Sequence, residues 1–354
     1  MFQLNPNDFS KNTLKMVIVG NVSEPYHMGY VFLKASQDIG LIVETCDTSN
    51  YAPSMKSLWG KALFKLSGKR PLEWWSFNSH LANTIQEFQP QLVFVTGIFP
   101  LEESLFRLCS KKVIKIVNYL TDYPWNTFHY SSKFIDNLSH YDLVFSTKSK
   151  ILTELIQHGV KQAKFLPFAY DPFLHYQPKN IYSNIKEKFD SDICFVGRAD
   201  SERIPYLDAI AELNNNLRLK LYGGAWENIN VKNWEKHPVV VNEEYRLALS
   251  CSKLALGIVR KRNQDESTLR TFEIAACGGC GIYEDTSEHR QILDGYPEYG
   301  FFSSPEDLAS KCKWLLENPI EREQMRQLGI QLVVKESNTY TARLKTILQW
   351  WSQE

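Results

Sequence analysis

The sequence predicts an α/β protein that contains two tandem, doubly wound parallel sheets. Short runs rich in Val, Ile, Leu and Phe recur along the chain, and they are apolar throughout rather than alternating, which is typical of strands buried on both faces of a parallel sheet. Stretches with helical periodicity separate most of these runs, as βαβ units require. The length of 354 residues is enough for two domains of about 150 residues each.

The first series of predicted strands lies in the amino-terminal half. Residues 15–20, KMVIVG, form an apolar run that ends at a glycine, and a helical pattern begins near Met28. The loop between them stands where a dinucleotide fingerprint would be, but it lacks the G-x-G-x-x-G pattern, so a dinucleotide site is not expected. Further strands are predicted at 41–46, 91–97, 115–120, 142–147 and 164–168.

A second series of strands follows a segment without a sustained apolar run. This segment, residues 169–190, contains two prolines and is predicted to be a linker between domains at 1–168 and 191–337. The strands of the second domain are predicted at 192–197, 217–224, 253–259, 280–285 and 299–302, with helices from Pro305 onward. Because open parallel sheets bind ligands outside the carboxyl ends of their strands, we expect a ligand cleft between the two domains.

Charge and composition exclude several classes of protein. The 40 basic and 40 acidic side chains balance, so a dedicated nucleic-acid binder is not expected. No long apolar run and no secretory signal is present, which predicts a cytoplasmic protein. Seven cysteines, an odd number, indicate reduced thiols. Cys277 and Cys280 form a C-x-x-C pair without a second ligand pair nearby, which favours buried helix-end residues over a metal site.

One amphipathic stretch suggests a membrane contact. Residues 54–66 place Met, Leu, Trp and Ala side chains on one helical face and lysines on the remainder. Such a helix can lie on an anionic membrane surface, which would make the protein peripheral to the inner membrane face. The alternative, which we favour, is that this apolar face packs onto the first domain.

The segment DESTLRTFEIAACGGCG, residues 265–281, carries the clearest chemistry. Ser267 or Thr268 can cap a helix that ends at the two glycines 278–279. Arg260, Arg262 and Arg270 lie close to its beginning in the sequence. Free N–H groups, the helix dipole and guanidinium groups together make a suitable site for a diphosphate.

Glu273 has two interpretations. Its carboxylate could accept hydrogen bonds from the two hydroxyls of a ribose. Alternatively, it is a solvated helix glutamate that pairs with Arg270, three residues before it. The spacing by itself does not decide between the two.

Several segments resemble the GT-B glycosyltransferases, specifically the CgeB-like spore-maturation group. The similarity rests on RTFEIAACGG at 270–279, FVGRADSERIPYL at 195–207, LPFAYDPFLH at 166–175 and NTYTARLKTIL at 338–348. It covers nearly all of residues 140–350, whereas the amino-terminal half is similar only in pattern. The resemblance implies two Rossmann-like domains facing across a cleft, with the last helix, 338–354, crossing back to the first domain.

The resemblance also implies transfer of a sugar from a nucleotide-diphosphate donor held mainly by the second domain. Gly197 then permits close approach of the donor, while Arg198 or Arg203, with Arg270, neutralises its diphosphate and Glu273 holds its ribose. Asp265 and Glu273 have the spacing of the family's E-x7-E element, although the first position here is Asp. No metal and no cofactor is expected beyond the donor itself.

The nucleobase pocket is predicted near YGGAW, residues 222–226, with Trp226 or Tyr245 stacking on the base; a tight glycine turn is the alternative. The full set of expected donor-binding residues is Gly197, Arg198, Arg203, Gly223, Trp226, Tyr245, Ser267, Thr268, Leu269, Arg270, Thr271 and Glu273.

Candidate catalytic residues are Asp122, His27 and Asp265. A retaining enzyme of this fold needs no nucleophile, because catalysis then rests on stabilising the departing diphosphate. An inverting enzyme would need a general base from the first domain, for which Asp122 is the candidate; the alternative for Asp122 is a turn aspartate before Pro124. His27 could contact the sugar or the acceptor, or be structural.

Other functions remain open at this point. A nucleotide-sugar isomerase would need acid and base carboxylates around the sugar, and no clear pair is visible. A non-catalytic GT-B-like protein that binds a sugar or scaffolds an assembly is the third interpretation, and the presence of Arg203, Arg270 and Glu273 argues against it. The acceptor, whether a glycan, a lipid-linked sugar, a protein or a small molecule, is not identified by the sequence.

Overall fold

A computed structural model describes residues 14–51, 74–127, 130–214 and 216–353. Its contacts divide the chain into two compact units, the first Met1–Pro167 with Tyr340–Glu354 and the second Phe168–Thr339. Each unit contains one six-stranded sheet in the part of the chain that is described, and the paired strands are parallel throughout. The predicted α/β class with two parallel sheets is confirmed.

The first unit is built around the sheet β2-β1-β3-β4-β5-β6. Its strands are β1 (Lys15–Gly20), β2 (Ile42–Asp47), β3 (Leu92–Thr96), β4 (Lys115–Leu120), β5 (Leu143–Ser146) and β6 (Ala163–Phe165). Its helices are α1 (Met28–Asp38), α2 (Trp74–Phe88), α3 (Glu103–Lys111), α4 (Ser132–Asp136), α5 (Leu152–Gln157) and α13 (Tyr340–Gln353). β3 and β5 are buried along their whole length, which explains why their sequences are apolar without alternation.

The carboxyl-terminal helix α13 packs within the first unit. The Tyr340 ring lies edge-on to Phe32 of α1, with ring centroids 5.4 Å apart. Arg343 Nε donates to the Pro167 carbonyl (2.9 Å), and the Trp350 indole donates to the Gln162 side chain (3.1 Å). These contacts join the end of the chain to the first sheet.

The second unit is built around the sheet β12-β11-β10-β7-β8-β9. Its strands are β7 (Ser191–Val196), β8 (Leu219–Tyr222), β9 (Trp234–His237), β10 (Ser252–Gly257), β11 (Gly281–Glu284) and β12 (Phe301–Phe302). Its helices are α6 (Ser183–Phe189), α7 (Ile204–Ala211), α8 (Asn242–Ser250), α9 (Leu269–Ala276), α10 (Ser287–Ile292), α11 (Pro305–Glu317) and α12 (Pro319–Val333). The order of these strands is that of the dinucleotide-binding Rossmann sheet.

Two features of the second unit differ from the sequence-based picture. β9 was not predicted, because only Trp234 of this edge strand is buried. A single apolar residue gives neither an apolar run nor an alternating pattern that would indicate a strand. Residues 169–190 group with the second unit and include α6, whose Phe189 is buried.

Candidate functional site

The strand order of the second sheet creates a switch point between β7 and β10. These strands are parallel neighbours, with Cys194 opposite Ala255, and the following strands lie on opposite sides of the pair, β8 beside β7 and β11 beside β10. The carboxyl ends of β7 and β10, Val196 and Gly257, therefore lie where open α/β sheets bind ligands. Most of the donor-binding residues predicted from the sequence lie in the segments that follow these two strands.

Close backbone packing joins the loops that follow β7 and β8. The Gly197 N–H donates to the Tyr222 carbonyl, and the Trp226 indole N–H donates to the Gly197 carbonyl, both at 2.8 Å. Gly223 has a φ of +148°, and a Cβ there would lie 2.0 Å from the Gly197 carbonyl oxygen, so only glycine fits. Trp226 is 1% exposed, which leaves its ring packed inside the unit without an open face for stacking.

Arg203 places a buried guanidinium beside the switch point. Nη1 donates to the Arg198 carbonyl (2.9 Å), Nη2 donates to the Ile258 carbonyl (3.3 Å), and Cζ lies 5.0 Å from the centre of the Phe195 ring. Nε is buried without a hydrogen-bond acceptor, and no described carboxylate lies within ion-pair distance of the guanidinium. Burial lowers the pKa of Arg203 to about 10, and the charge of Arg260 acts in the same direction, while the more distant charges of Asp200 and Asp265 act against it. The group therefore stays cationic at neutral pH.

Helix α9 begins at the same edge of the sheet. Thr268 is its cap, because Thr268 Oγ1 accepts from the Arg270 N–H (3.2 Å) while Thr271 Oγ1 accepts from the Thr268 N–H (3.0 Å). Ser267, the other predicted cap, instead donates to the buried carboxylate of Glu288 (2.6 Å). The partly exposed residues at this helix start are Thr268, Leu269 and Arg270.

A buried histidine, His289, hydrogen-bonds to Thr271, which is part of the helix cap. His289 Nδ1 lies 2.7 Å from the Glu284 carbonyl, which can only accept, so this nitrogen carries the proton. Nε2 is then the acceptor for the Thr271 hydroxyl, at 2.9 Å. Burial lowers the pKa of His289 to about 4, consistent with a neutral ring. In this chain of hydrogen bonds, the Thr268 N–H donates to the Thr271 hydroxyl, that hydroxyl donates to His289 Nε2, and His289 Nδ1–H donates to the Glu284 carbonyl.

Arg270 connects the helix start to the end of β7. Its Nε donates to the Val196 carbonyl (2.8 Å), and its Nη1 donates to Glu273 (2.5 Å). The guanidinium also lies over the Tyr245 ring, 5.1 Å from its centre. Three contacts of different kinds therefore hold Arg270 at the switch point, with about a quarter of its side chain (23%) exposed.

The carboxylate of Glu273 is buried and surrounded by side chains of the second unit. Its Oε2 accepts hydrogen bonds from the Tyr245 hydroxyl and from Arg270, and its Oε1 lies 3.4 Å from His175 Nε2. Burial alone would raise the pKa of Glu273, but His175, Arg270 and Tyr245 lower it below its usual value. The pairing with Arg270 matches the second interpretation of this residue, but Glu273 is not solvated.

Asp265 is held by its neighbours. Its Oδ2 accepts from Arg260 Nε (3.1 Å) and its Oδ1 from the Asn263 amide (2.8 Å), with 2% of the side chain exposed. This carboxylate fixes the basic loop after β10. Arg198, by contrast, is an exposed residue on the loop after β7.

Tyr245, expected to stack on a base, is also buried. Its ring is 8% exposed, and burial raises the pKa of its hydroxyl well above the ordinary value, so the hydroxyl keeps its proton and can donate to Glu273. Tyr245 therefore contacts the site through its hydroxyl and not through an open ring face.

The two catalytic candidates of the first domain lie at the carboxyl edge of the first sheet. His27 precedes α1, and its Nε2 lies 2.8 Å from Glu24, with nearly half of each side chain exposed. Asp122 follows β4, is partly exposed, and accepts a hydrogen bond from the Thr121 hydroxyl (3.2 Å). Their roles in catalysis stay predictions.

His175 and His289 are the two site residues that the sequence analysis did not select. His175 lies on an aspartate turn: the Asp171 carboxylate accepts from the Phe173 N–H (2.8 Å), and the Asp171 carbonyl accepts from the His175 N–H (2.7 Å). The Asp-Pro pair at 171–172 was a turn signal that could have drawn attention to it. His289 follows a Thr286 cap, which was the only local signal there.

Other sequence-based expectations concern metals, thiols and membranes. All seven cysteines are buried and free of disulfides, and Cys277 and Cys280 lie at the end of α9. No group of three or more metal-ligating side chains occurs among the described residues. None of the described helices combines the length and the apolar character that a membrane-spanning helix needs. The amphipathic stretch 54–66 lies outside the described residues.

Comparison with known proteins bears on the fold and on the second unit. Residues 203–349 match a family model described as glycosyl transferase-like. This match includes Arg203, Asp265, Arg270 and Glu273. A search of curated proteins found no match to the chain.

Several solved structures are similar over nearly the whole chain. Anabaena HepE in complex with UDP and glucose has a TM-score of 0.66 at 11% identity, covering 96% of this chain and 100% of the other. Sucrose-phosphate synthase from Thermosynechococcus elongatus has a TM-score of 0.68 at 14% identity, covering 96% and 98%. A Listeria monocytogenes protein described as a putative UDP-N-acetylglucosamine 2-epimerase has a TM-score of 0.56 at 12% identity, covering 97% and 98%.

These similarities establish the GT-B fold for this chain and confirm the predicted fold class. At identities of 11–14% they concern the fold alone. The family match places a glycosyl transferase-like sequence on the unit that carries the switch point.

Proposed function

We propose that this protein is a glycosyltransferase that moves a sugar from a nucleoside-diphosphate sugar to an acceptor, without a metal ion and with retention of configuration. The observation that carries the proposal is the Arg203 guanidinium, buried at the switch point without a carboxylate partner among the described residues. The family match over residues 203–349 supports the same class of reaction. The CgeB-like group is the subfamily we propose.

A buried cation without a counterion is costly unless a ligand supplies the negative charge. Among the described residues, the acceptors of Arg203 are two backbone carbonyls, and its Nε has no hydrogen-bond acceptor. The Arg270 guanidinium lies at the end of β7, where its Nε donates to the Val196 carbonyl. A diphosphate would add acceptor oxygens for both guanidinium groups and for the partly exposed start of α9.

The proposed reaction depends on stabilisation of the leaving diphosphate and requires no nucleophile from the enzyme. Negative charge develops on the diphosphate oxygen as the bond to the sugar breaks. Arginine side chains and a helix start that are already in place stabilise that charge without reorganising. In a retaining reaction the acceptor hydroxyl attacks from the face that the diphosphate leaves, and its proton passes to the departing diphosphate oxygen as the new glycosidic bond forms. An inverting reaction would instead require a general base, for which Asp122 of the first unit is the candidate, whereas His27 is the candidate for a contact to the sugar or the acceptor.

The remaining parts of the proposal concern the acceptor and the location. We propose that the first unit binds the acceptor, because loops after its strands carry Asp122 and His27 in partly exposed positions. We also propose that the enzyme works in the cytoplasm, with 54–66 as a candidate contact to the inner membrane face. Vesicle sedimentation with anionic and neutral lipids tests that contact.

The experiment that tests the main proposal is a ligand panel. Purified protein is mixed with UDP-, GDP- and TDP-sugars, with EDTA present, and binding is followed by thermal shift and calorimetry. HepE in complex with UDP and glucose makes UDP-glucose the first ligand to try. We expect one donor to bind, and to be slowly hydrolysed, in the absence of a metal ion.

The Arg203→Met variant keeps the length of the side chain but removes its charge. It should weaken binding of that donor by about 100-fold or more, since a buried charged contact is lost. Arg218→Met is the matched control, because Arg218 pairs with Asp190 at the opposite edge of the same sheet. Failure of the whole panel, or equal binding by the two variants, would contradict the proposal. Epimerised donor recovered without transfer would indicate an isomerase instead.

A further inference from the structure

The first turn of α10 is hydrogen-bonded to the segment that leads into α9. Residues 286–289 are consecutive, and each of them bonds to a residue between 266 and 271. The bonds join Thr286 and Ser287 to Glu266, Glu288 to Ser267, and His289 to Thr271. Glu288 and His289 are 1% and 0% exposed, so water does not compete for their partners. The start of α9 is therefore held in place by α10.

The Thr271 hydroxyl links His289 to the helix cap. A hydroxyl has one proton to donate and two lone pairs that can accept. Its proton goes to His289 Nε2 (2.9 Å), because Nδ1 of that ring donates to the Glu284 carbonyl. A lone pair of the hydroxyl then accepts the Thr268 N–H (3.0 Å). The acceptor nitrogen of His289 therefore sets the direction of the hydrogen bond that closes the cap.

The closed cap determines which N–H groups at the start of α9 are left for a ligand. The first N–H groups of a helix have no acceptor within the helix itself. Here the Thr268 N–H donates to Thr271 Oγ1, and the Arg270 N–H donates to Thr268 Oγ1. The Leu269 N–H, between them, has no acceptor in the part of the chain that the structure describes. Leu269 is partly exposed, so its N–H and the Arg270 side chain are groups that the helix start offers to an anion.

We infer that His289 is a positioning residue for the donor, and that it acts through the Thr271 hydroxyl to hold the start of α9 in the geometry that binds the diphosphate. This inference rests on the proposed function and concerns the same site. His289 is fully buried, so it does not contact the donor itself. Its contribution is the acceptor nitrogen that it presents to Thr271.

The physical reason is that a threonine hydroxyl inside a helix has competing acceptors. Without an acceptor at His289, the Thr271 hydroxyl can turn and donate to a carbonyl three or four residues earlier, that of Thr268 or Ser267. Its lone pairs then no longer face the Thr268 N–H, and the cap opens. The helix start must in that case be reordered whenever a diphosphate binds. Donor groups that are already in place stabilise the charge without reordering.

Two substitutions separate the two hydrogen bonds of His289. The amide oxygen of His289→Gln reaches the place of Nε2 and can accept from Thr271, whereas His289→Asn keeps an N–H near Nδ1 for the Glu284 carbonyl and leaves Thr271 without an acceptor. Calorimetry with UDP and with GDP on the full-length protein measures the effect. We expect His289→Asn to raise the dissociation constant about tenfold and His289→Gln to stay within about threefold of wild type. A merely structural role predicts equal affinities in the two variants, and that result would overturn the inference.

Substitutions of Thr271 test the same link from its other end. Thr271→Val keeps the shape of the side chain but removes the hydroxyl, and should weaken nucleotide binding about tenfold, while Thr271→Ser keeps the hydroxyl and the affinity. The double variant of His289→Asn and Thr271→Val should bind no more weakly than either single variant, because both remove one hydrogen bond. Losses that multiply to about 100-fold would show that His289 does not act through Thr271, against the inference. The Thr271 pair stands as a test by itself if the His289 variants fail to fold.

The matched control is Ser191→Ala, which removes a buried hydroxyl at the start of β7. Ser191 Oγ and Ser252 Oγ lie 2.7 Å apart, at the opposite end of the strand from the site. This variant should lose stability and keep the wild-type dissociation constant. Weaker nucleotide binding in the control would mean that any loss of a buried hydrogen bond lowers affinity, which would overturn the inference. Absence of binding of UDP and GDP to the wild-type protein at millimolar concentration would overturn the proposed function as well.

Discussion

The carboxyl edges of the two sheets have the same parallel construction but bury different side chains. In the first unit, the buried polar residues at this edge are mostly neutral, with Lys148 as a charged exception. The neutral residues include Thr48, Thr96, Asn118, Ser146 and Thr147. In the second unit, the carboxylates buried at this edge are Asp265, Glu266, Glu273, Glu284 and Glu288. Every buried carboxylate among the described residues lies in the second unit.

The two sheets therefore have comparable carboxyl edges, because both are parallel, and these edges differ in the charged side chains that they bury. Buried carboxylates must be paired, so each one fixes the position of its partner. Asp265 holds Arg260, Glu273 holds Arg270, and Glu284 lies 3.1 Å from Lys261 Nζ. The second edge is therefore an array of fixed cations, while the His27–Glu24 pair of the first edge is half exposed.

Substituting the edge glycines should produce the largest difference. Gly223→Ala combines a left-handed backbone with a Cβ that would lie 2.0 Å from the Gly197 carbonyl oxygen, and it should lower the free energy of unfolding by about 5 kcal/mol. Gly20→Ala meets Thr96 Oγ1, which can move away only if the Thr96 side chain turns and loses its hydrogen bond to the Val19 carbonyl, so we expect a cost of about 2 kcal/mol. Urea unfolding followed by circular dichroism measures both values. Equal losses in the two variants would contradict the prediction.

Removing the charge of a glutamate should distinguish the edges next. Glu273→Gln leaves Arg270 buried without its counterion, and we expect a loss of about 4 kcal/mol in the free energy of unfolding. Glu24→Gln changes an exposed pair with His27 and should cost less than about 1 kcal/mol. The same urea titration serves for both. A loss at Glu24 as large as that at Glu273 would mean that burial does not set the strength of these pairs.

Acid should destabilise the second unit through His289. Burial lowers the pKa of this ring to about 4, whereas an unfolded histidine titrates near 6.5. The stability present above pH 6.5 is therefore lost as the pH falls toward 4, by about 3 kcal/mol, because the unfolded chain takes up the proton first. Thermal unfolding at several pH values measures this loss. His289→Asn should have a flatter profile, and an unchanged acid profile would rule His289 out as the cause.

The helix caps should show the smallest difference. Thr268→Ala removes the cap of α9 and should cost about 1 kcal/mol. Ser131→Ala removes the cap of α4 in the first unit, where the hydroxyl accepts at a long 3.4 Å, and should cost about 0.5 kcal/mol. Donor affinity should fall only in the Thr268 variant. Weaker donor binding in the Ser131 variant would argue against a ligand at the start of α9.

Much of the fold follows from patterns that are visible in the chain. The strands β1 and β4 have the predicted bounds, because a run of apolar residues bounded by a polar residue or a glycine is a local signal. The α9 cap was visible as one of two candidates, Ser267 or Thr268, and the Arg270–Glu273 pair as one of two interpretations of Glu273, since both depend on short spacings. The edge strand β9 was not, because its signal depends on neighbours that are distant in sequence.

The site could be predicted only in part. The sequence analysis selected Arg203, Arg270 and Glu273, but it also expected Trp226 or Tyr245 to stack on a base, whereas both side chains are buried in the second unit. It did not select His175, which lay in the expected linker. Burial of a ring depends on what packs against it, and no spacing rule contains that information.

By itself, the sequence determined the two parallel sheets and a helix whose cap is Ser267 or Thr268, because apolar runs and capping residues act over short stretches of chain. Only the tertiary structure decided that β7 lies beside β10 and that Glu273 meets Arg270, Tyr245 and His175. It also decided that Arg203 has no carboxylate within ion-pair distance in the described part of the chain. These outcomes depend on strand order and on exclusion of water, which arise when distant segments pack together.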